Sequence, residues 1–193
     1  MPTGKYSDTL KHAGFQPFLW TQFLSALNDN IDKIVVSMLA VDFGVSSGGG
    51  SGYLSLVGAV FILPFFLGSG YAGLIADIFS KRTVLIVMKF FEVAVMLLGC
   101  LAFLSNRFDL ILAVLFFMAV HSTFFSPAKY GILPEMLPEK ELSRANGLLE
   151  LTTFLAIILG TSLGSIMLAA WKGRLVWIGL ILTAIAVAGT GCR

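Results

Sequence analysis

The 193-residue chain is 57% hydrophobic and 12% charged, with 13 Lys and Arg against 11 Asp and Glu and a formal net charge of +2. An ordinary soluble domain carries about 25% charged residues, so these charges are too few to cover a water-exposed surface. The composition excludes a sizeable soluble domain and predicts an all-α integral membrane protein, with room for about six helices of about 20 apolar residues each.

Six apolar stretches predict the transmembrane helices. In chain order they cover about residues 15–42, 53–76, 83–104, 108–128, 143–170 and 174–191. Residues 1–14 are polar, and the apolar stretch that follows them is too long for a cleaved signal sequence. We therefore expect a cytoplasmic segment at 1–14, followed by a six-helix transmembrane bundle at 15–193.

The distribution of Lys and Arg among the loops predicts the orientation of the bundle, because cytoplasmic loops are enriched in these residues. With the N-terminus inside, the eight basic residues on the cytoplasmic side are Lys5, Lys11, Lys81, Arg82, Lys129, Lys140, Arg144 and Arg193. The three on the outer side are Arg107, Lys172 and Arg174. The count favours cytoplasmic N- and C-termini. Lys172 and Arg174 weaken it, because they place two basic residues in one loop on the outer side.

The chain ends where the sixth predicted helix meets the membrane boundary. Six helices suit one repeat of a larger transporter, because such folds are commonly built from two six-helix halves around a site at the membrane midplane. We therefore expect a second six-helix half as a partner, either a missing C-terminal part or another copy of the chain.

The first predicted helix contains charges that a membrane tolerates poorly, namely Asp29, Asp32 and Lys33. Three central charges cost about 8–10 kcal/mol on insertion scales, whereas the apolar residues of this helix return only about 4–7 kcal/mol. Gln22 and Ser25 share a helical face with these charges. We expect this face to line a wet cavity; the alternative is that Asp29 and Lys33 neutralise each other as an i, i+4 pair.

Polar groups in the later helices admit more than one interpretation. Lys89 and Glu92 are three residues apart and can form an ion pair, for which we favour a structural role, although Glu92 could belong to a deeper polar network. Glu150 shares a helix face with Asn146 and is either protonated in an apolar site or paired with a cation from another helix. Lys129 is a candidate for that cation, and it could equally be an interfacial anchor.

Other features favour packing roles or indicate nothing further. The spacing of Gly160 and Gly164 lets another helix approach closely, and His121 is expected to be packed and hydrogen-bonded. Cys100 and Cys192 lie far apart and predict neither a disulfide framework nor a metal site. No Walker motif, metal cluster or nucleophile constellation indicates an enzyme or a cofactor, and no basic stretch interleaved with aromatics indicates a nucleic-acid partner.

Four stretches resemble known transporters. Residues 73–82 resemble the signature loop of the major facilitator superfamily. Residues 22–30, 126–133 and 145–150 are similar to the bacterial lysophospholipid transporter family, which includes a related transporter domain fused to an acyltransferase and acyl carrier protein ligase. The resemblance implies the N-terminal half of an alternating-access carrier that moves lysophosphatidylethanolamine and similar single-chain phospholipids across the bacterial inner membrane for reacylation.

The resemblance also implies roles for particular residues. Asp29, Lys129 and Glu150 match polar positions that line the substrate cleft. With their polar neighbours, the expected charge network consists of Asp29, Asp32, Lys33, Lys129, Asn146 and Glu150. The expected gating loop, which would contact the second half, consists of Gly73, Asp77, Lys81 and Arg82.

Two alternatives remain open. One is proton-coupled efflux of drugs or small solutes on the same fold, with Asp29 or Glu150 as the proton carrier. The other is a non-transporting membrane anchor that holds a phospholipid acyltransferase at the membrane.

Overall fold

The computed structural model describes residues 9–12, 14–49 and 51–191, and these residues form helices and short connections. In chain order the helices are α1 (Phe15–Ser46), α2 (Gly52–Ile78), α3 (Lys81–Ser105), α4 (Phe108–Gly131), α5 (Leu133–Met136), α6 (Glu139–Trp171) and α7 (Val176–Gly191). The all-α fold class is confirmed. The division into a 1–14 segment and a bundle stays a prediction, because residues 1–8, 13, 192 and 193 lie outside the described residues.

Four of these helices, α2, α3, α4 and α6, are long and apolar enough to cross a membrane. The described part of α7 is apolar but has only 16 residues, and α1 has 32 residues interrupted by charges. Much of the apolar surface of α2 faces outward, with Phe66 81% exposed. In a bilayer such side chains contact lipid, so their exposure is compatible with a stable fold.

Helix α1 runs through the centre of the bundle, where it packs on α2, α4, α6 and α7. The closest approach is to α6, because Gly160 and Gly164 present no side chain there. A Cβ atom added at Gly160 would lie 2.9 Å from the carbonyl oxygen of Leu27, and one added at Gly164 would lie 2.3 Å from Cγ2 of Ile34. The predicted close packing through this pair of glycines is confirmed.

The connections define two ends of the bundle. The connections at residues 79–80 and 132–138 lie at one end, which we call the Glu135 end. Those at 47–49 and 51, 106–107 and 172–175 lie at the other end, which we call the Lys172 end. Apolar side chains from α1, α3, α4, α6 and α7, with Val57 of α2, form the largest buried cluster. Cys100 belongs to the α3–α7 contact, with its Sγ 3.4 Å from Oγ1 of Thr183, while Cys192 lies outside the described residues.

Candidate functional site

A polar cavity of about 230 Å³ lies mainly between α1, α4 and α6. Its polar lining consists of Gln22, Ser25, Asp29, Asn30, Lys33, His121, Ser122, Ser126, Lys129 and Thr153. Phe65, Phe125, Ile157 and Ala26 supply the apolar part of the wall. Asp29 stands about halfway along α1, so the cavity holds ionisable groups far from either end of the helix.

Asp29 and Lys33 both reach this cavity, but each contacts a different partner. The Asp29 carboxylate accepts a hydrogen bond from the Ser122 hydroxyl of α4, and its Oδ1 is buried without a partner among the described residues. The Lys33 ammonium lies over the ring of Phe61, 4.8 Å from its centroid. The structure therefore shows no direct ion pair between these two residues within the described part of the chain.

Lys129 projects from α4 into the cavity and is 7% exposed. Its Nζ donates to Oε1 of Gln22 at 3.3 Å and to Oγ1 of Thr153 at 3.2 Å. The Gln22 amide in turn donates to Thr152 of α6. The described contacts of the ammonium are therefore neutral oxygens and the ring of Tyr130, while the carboxylates of Glu150 and Asp29 act on its charge without direct contact. Its positive charge can also attract an anion that enters the cavity.

Glu150 differs from the expectation in two respects. It is exposed rather than buried, and its carboxylate accepts a hydrogen bond from the hydroxyl of Tyr130. A contact with Lys129 was one of two interpretations left open, and it is not among the described ion pairs, since the hydrogen bonds of Lys129 go to Gln22 and Thr153. Asn146 is likewise exposed. Neither Glu150 nor Asn146 lines the cavity, and their place in a substrate cleft stays a prediction.

Asp32 also differs from the expectation that it shares a wet face with Asp29. It is 1% exposed, and within the described part of the chain neither carboxylate oxygen has a hydrogen-bond partner. One turn earlier on the same face, the Asn28 amide donates to Glu92 of α3 at 3.2 Å. Asp32 therefore points into the interior of the bundle and not into the cavity.

The predicted ion pair between Lys89 and Glu92 is confirmed, with 2.8 Å between Nζ and Oε2. The Ser25 hydroxyl donates to the same carboxylate oxygen at 2.7 Å, and Nε2 of His121 lies 3.5 Å from it. His121 is buried against the ring of Phe125 as expected, although its ring nitrogens make no hydrogen bond with the described residues. Glu92 thus belongs to a buried polar network, the alternative that the sequence left open for this residue.

Ser25 and His121 connect this network to the cavity, since both contact or approach Glu92 and both line the cavity wall. The sequence placed Gln22 and Ser25 on the face of α1 that was expected to line a wet cavity, but it did not indicate His121 or Thr153 as residues of the site. A signal for Gln22 and Ser25 was present in their helical spacing with Asp29. Thr153 had no comparable signal, because its role depends on where α6 meets α1 and α4.

The expected gating residues lie near the Glu135 end, where one of them forms an ion pair and two are exposed. Lys81 forms an ion pair with Glu135 at 3.0 Å, so one member of the loop is held by its own bundle. Asp77 and Arg82 are exposed. A Cβ atom added at Gly73 would meet nothing within 4 Å, so contacts among the described residues do not explain a glycine there. The gating role stays a prediction.

Long apolar helices around a charged interior cavity define a multi-pass membrane protein of the transporter type. The chain belongs to the Major Facilitator Superfamily, whose family model matches residues 18–191. This membership places the described bundle in a superfamily of transporters.

Several curated relatives share one name, lysophospholipid transporter LplT. The protein from Escherichia coli O1:K1 is 30% identical to this chain over 180 residues, and those from Cronobacter sakazakii and Salmonella newport are 32% identical over 180 residues. These alignments cover 91% of this chain but only 40 or 41% of the relatives. The chain thus spans about two fifths of the length of the curated relatives it matches. No solved structure gave a significant match.

Proposed function

We propose that the chain forms one half of an alternating-access carrier that moves lysophospholipid across the bacterial inner membrane. The observation that carries this proposal is the cavity halfway along α1. Among the described residues, the buried Lys129 contacts neutral groups there, and one oxygen of Asp29 has no partner. The names of the relatives aligned over 91% of the chain support the same substrate class.

The size and chemistry of the cavity suit the polar head of such a lipid. Its volume of about 230 Å³ is below the ~300–1,000 Å³ of sites that enclose a whole drug-sized ligand, so it has room for a head group and not for an acyl chain. Lys129 would bind the phosphate as a point charge, and Asp29 would accept hydrogen bonds from a cationic head. Phe65 and Phe125 would contact the first carbon atoms of the acyl chain.

The transport cycle that we propose requires a second six-helix bundle. Exposed polar groups on the membrane helices support this requirement, because bare lipid leaves such groups without partners. They include Asn146 and Glu150. Rocking of the two bundles about the cavity would expose the head group to one side of the membrane and then to the other.

We also propose that the Glu135 end faces the cytoplasm, which places both termini there. The basic residues Lys81, Arg82, Lys140 and Arg144 support this orientation, because loops rich in Lys and Arg stay on the cytoplasmic side. A lysophospholipid delivered to that side lacks one acyl chain, so an acyltransferase and acyl carrier protein ligase is the enzyme partner that we propose.

The test is a flipping assay on the full product of the gene, reconstituted in liposomes with a fluorescent lysophosphatidylethanolamine in one leaflet. Asp29→Asn should slow movement about 10- to 150-fold, the factor that corresponds to losing a hydrogen bond to a charged group. Membrane insertion should not suffer, because the variant removes a charge from the membrane. The matched control is Asp42→Asn, which removes a carboxylate from the exposed end of the same helix.

Two results would contradict the proposal. One is transport by Asp29→Asn at the rate of the unaltered protein, which would assign Asp29 a structural role. The other is a pH-dependent movement of a hydrophilic solute with no movement of the lysolipid, which would favour proton-coupled efflux.

A further inference from the structure

The charges at the Lys172 end do not balance within the described residues. This end carries two carboxylates and three basic side chains. Lys172 pairs with Asp42, with 2.8 Å from Nζ to Oδ2, and Arg107 pairs with Asp109, with 2.6 Å from Nη2 to Oδ2. Arg174 is exposed, and nothing in the described chain pairs with its guanidinium group.

Arg174 lines a cavity of about 280 Å³ between the C-terminal end of α3 and the start of α7. The polar side chains of this cavity are those of Asn106, Lys172 and Arg174. Its apolar lining consists of Phe103, Leu104, Leu175, Val176 and Trp177. An unpaired cation therefore stands beside an apolar wall, an arrangement that is complementary to an anion attached to a hydrocarbon chain.

The tryptophans of this end indicate its depth in the membrane. Trp171 is 37% exposed and Trp177 is 50% exposed, and exposed tryptophans concentrate at the membrane–water interface. The cavity beside Trp177 thus lies at the level where phospholipid phosphates lie. A guanidinium group matches phosphate oxygens with two parallel hydrogen bonds, so Arg174 has the chemistry that this location requires.

We propose that this cavity binds the phosphate group of an anionic phospholipid of the surrounding bilayer. Arg174 binds the phosphate, Asn106 and Lys172 contact the rest of the head group, and Leu104 and Trp177 contact the upper part of an acyl chain. The site is separate from the cavity of Asp29 and does not depend on transport.

The experiment uses the fluorescence of Trp177, because this side chain lines the cavity. The 193-residue chain carries three tryptophans, so a protein of these residues with Trp20→Phe and Trp171→Phe keeps Trp177 as its single tryptophan. The protein is reconstituted in phosphatidylcholine vesicles with increasing fractions of dibrominated phosphatidylglycerol, whose bromines quench a neighbouring tryptophan. The measurement yields the binding constant of the anionic lipid relative to phosphatidylcholine.

Arg174→Gln should lower this relative binding constant about five-fold, the factor that one basic side chain near an anionic surface contributes. Arg174→Lys should lose only part of it, because the charge remains but the paired hydrogen bonds do not. The matched control is Arg107→Gln, which also removes one positive charge from the Lys172 end. The side chain that it removes is already paired with Asp109. It should keep the preference.

Three outcomes would overturn the proposal. The first is equal quenching by both lipids in the unaltered protein. The second is an equal loss in Arg174→Gln and Arg107→Gln, which would reduce the effect to general attraction. The third is relief of quenching by inorganic phosphate as complete as that by unbrominated phosphatidylglycerol, which would assign the cavity to free phosphate instead of a lipid.

Discussion

The contact between α1 and α6 allows a quantitative test of the fold. An alanine at position 164 would place its Cβ 2.3 Å from Cγ2 of Ile34 and 3.0 Å from the carbonyl oxygen of Ile31. Carbon atoms pack best at about 3.5–4.0 Å, so α1 and α6 must separate or Ile34 must leave its position. Forcing one methyl group into a filled contact of this kind costs about 1–3 kcal/mol.

The same substitution has an opposing effect, because alanine favours a helix over glycine by about 0.8–1 kcal/mol. Gly147→Ala isolates that effect: it lies on the same helix, and an added Cβ there would meet nothing within 4 Å. We therefore expect the free energy of unfolding of Gly164→Ala to lie about 1–3 kcal/mol below that of Gly147→Ala.

The assay is reversible unfolding of the protein in mixed micelles by increasing sodium dodecyl sulfate, followed by circular dichroism. The free energy of unfolding of Gly160→Ala should also lie below that of Gly147→Ala, since the added Cβ would lie 2.9 Å from the Leu27 carbonyl oxygen. Equal unfolding free energies for Gly164→Ala and Gly147→Ala would refute the assignment of Gly164 to a close contact between α1 and α6.

Two further predictions concern the charged side chains. Lys89→Met should lower the free energy of unfolding by about 3–5 kcal/mol, because it leaves the Glu92 carboxylate buried without its cation. Lys89→Met combined with Glu92→Leu should lower it clearly less, because no buried charge then remains unpaired. A double variant as unstable as the single variant would contradict this prediction. Exchanging Lys129 and Glu150 should not rescue the transport that each single alanine variant loses, because Glu150 contacts Tyr130 instead. Rescue beyond additivity in the flipping assay would reveal a direct pair.

The positions of the helices along the chain were largely readable from the sequence, for a local reason. In a membrane the backbone hydrogen bonds must be satisfied within each segment, so the length of an apolar run predicts a helix without knowledge of its neighbours. The pairing of Lys89 with Glu92 was readable for the same reason, since both lie on one helix. The spacing of Gly160 and Gly164 similarly predicted an interface, although not which helix would fill it.

Contacts between helices were decided by the tertiary structure alone. The sequence by itself determined that Lys129, Glu150 and Asp32 are placed on membrane helices and that each needs a partner or a wet surface. It did not determine that Lys129 would reach Gln22 and Thr153, or that Asp32 would turn inward. The physical reason is that a rotation or shift of one helix against the next changes which side chains meet, while the hydrophobic pattern of each helix stays the same.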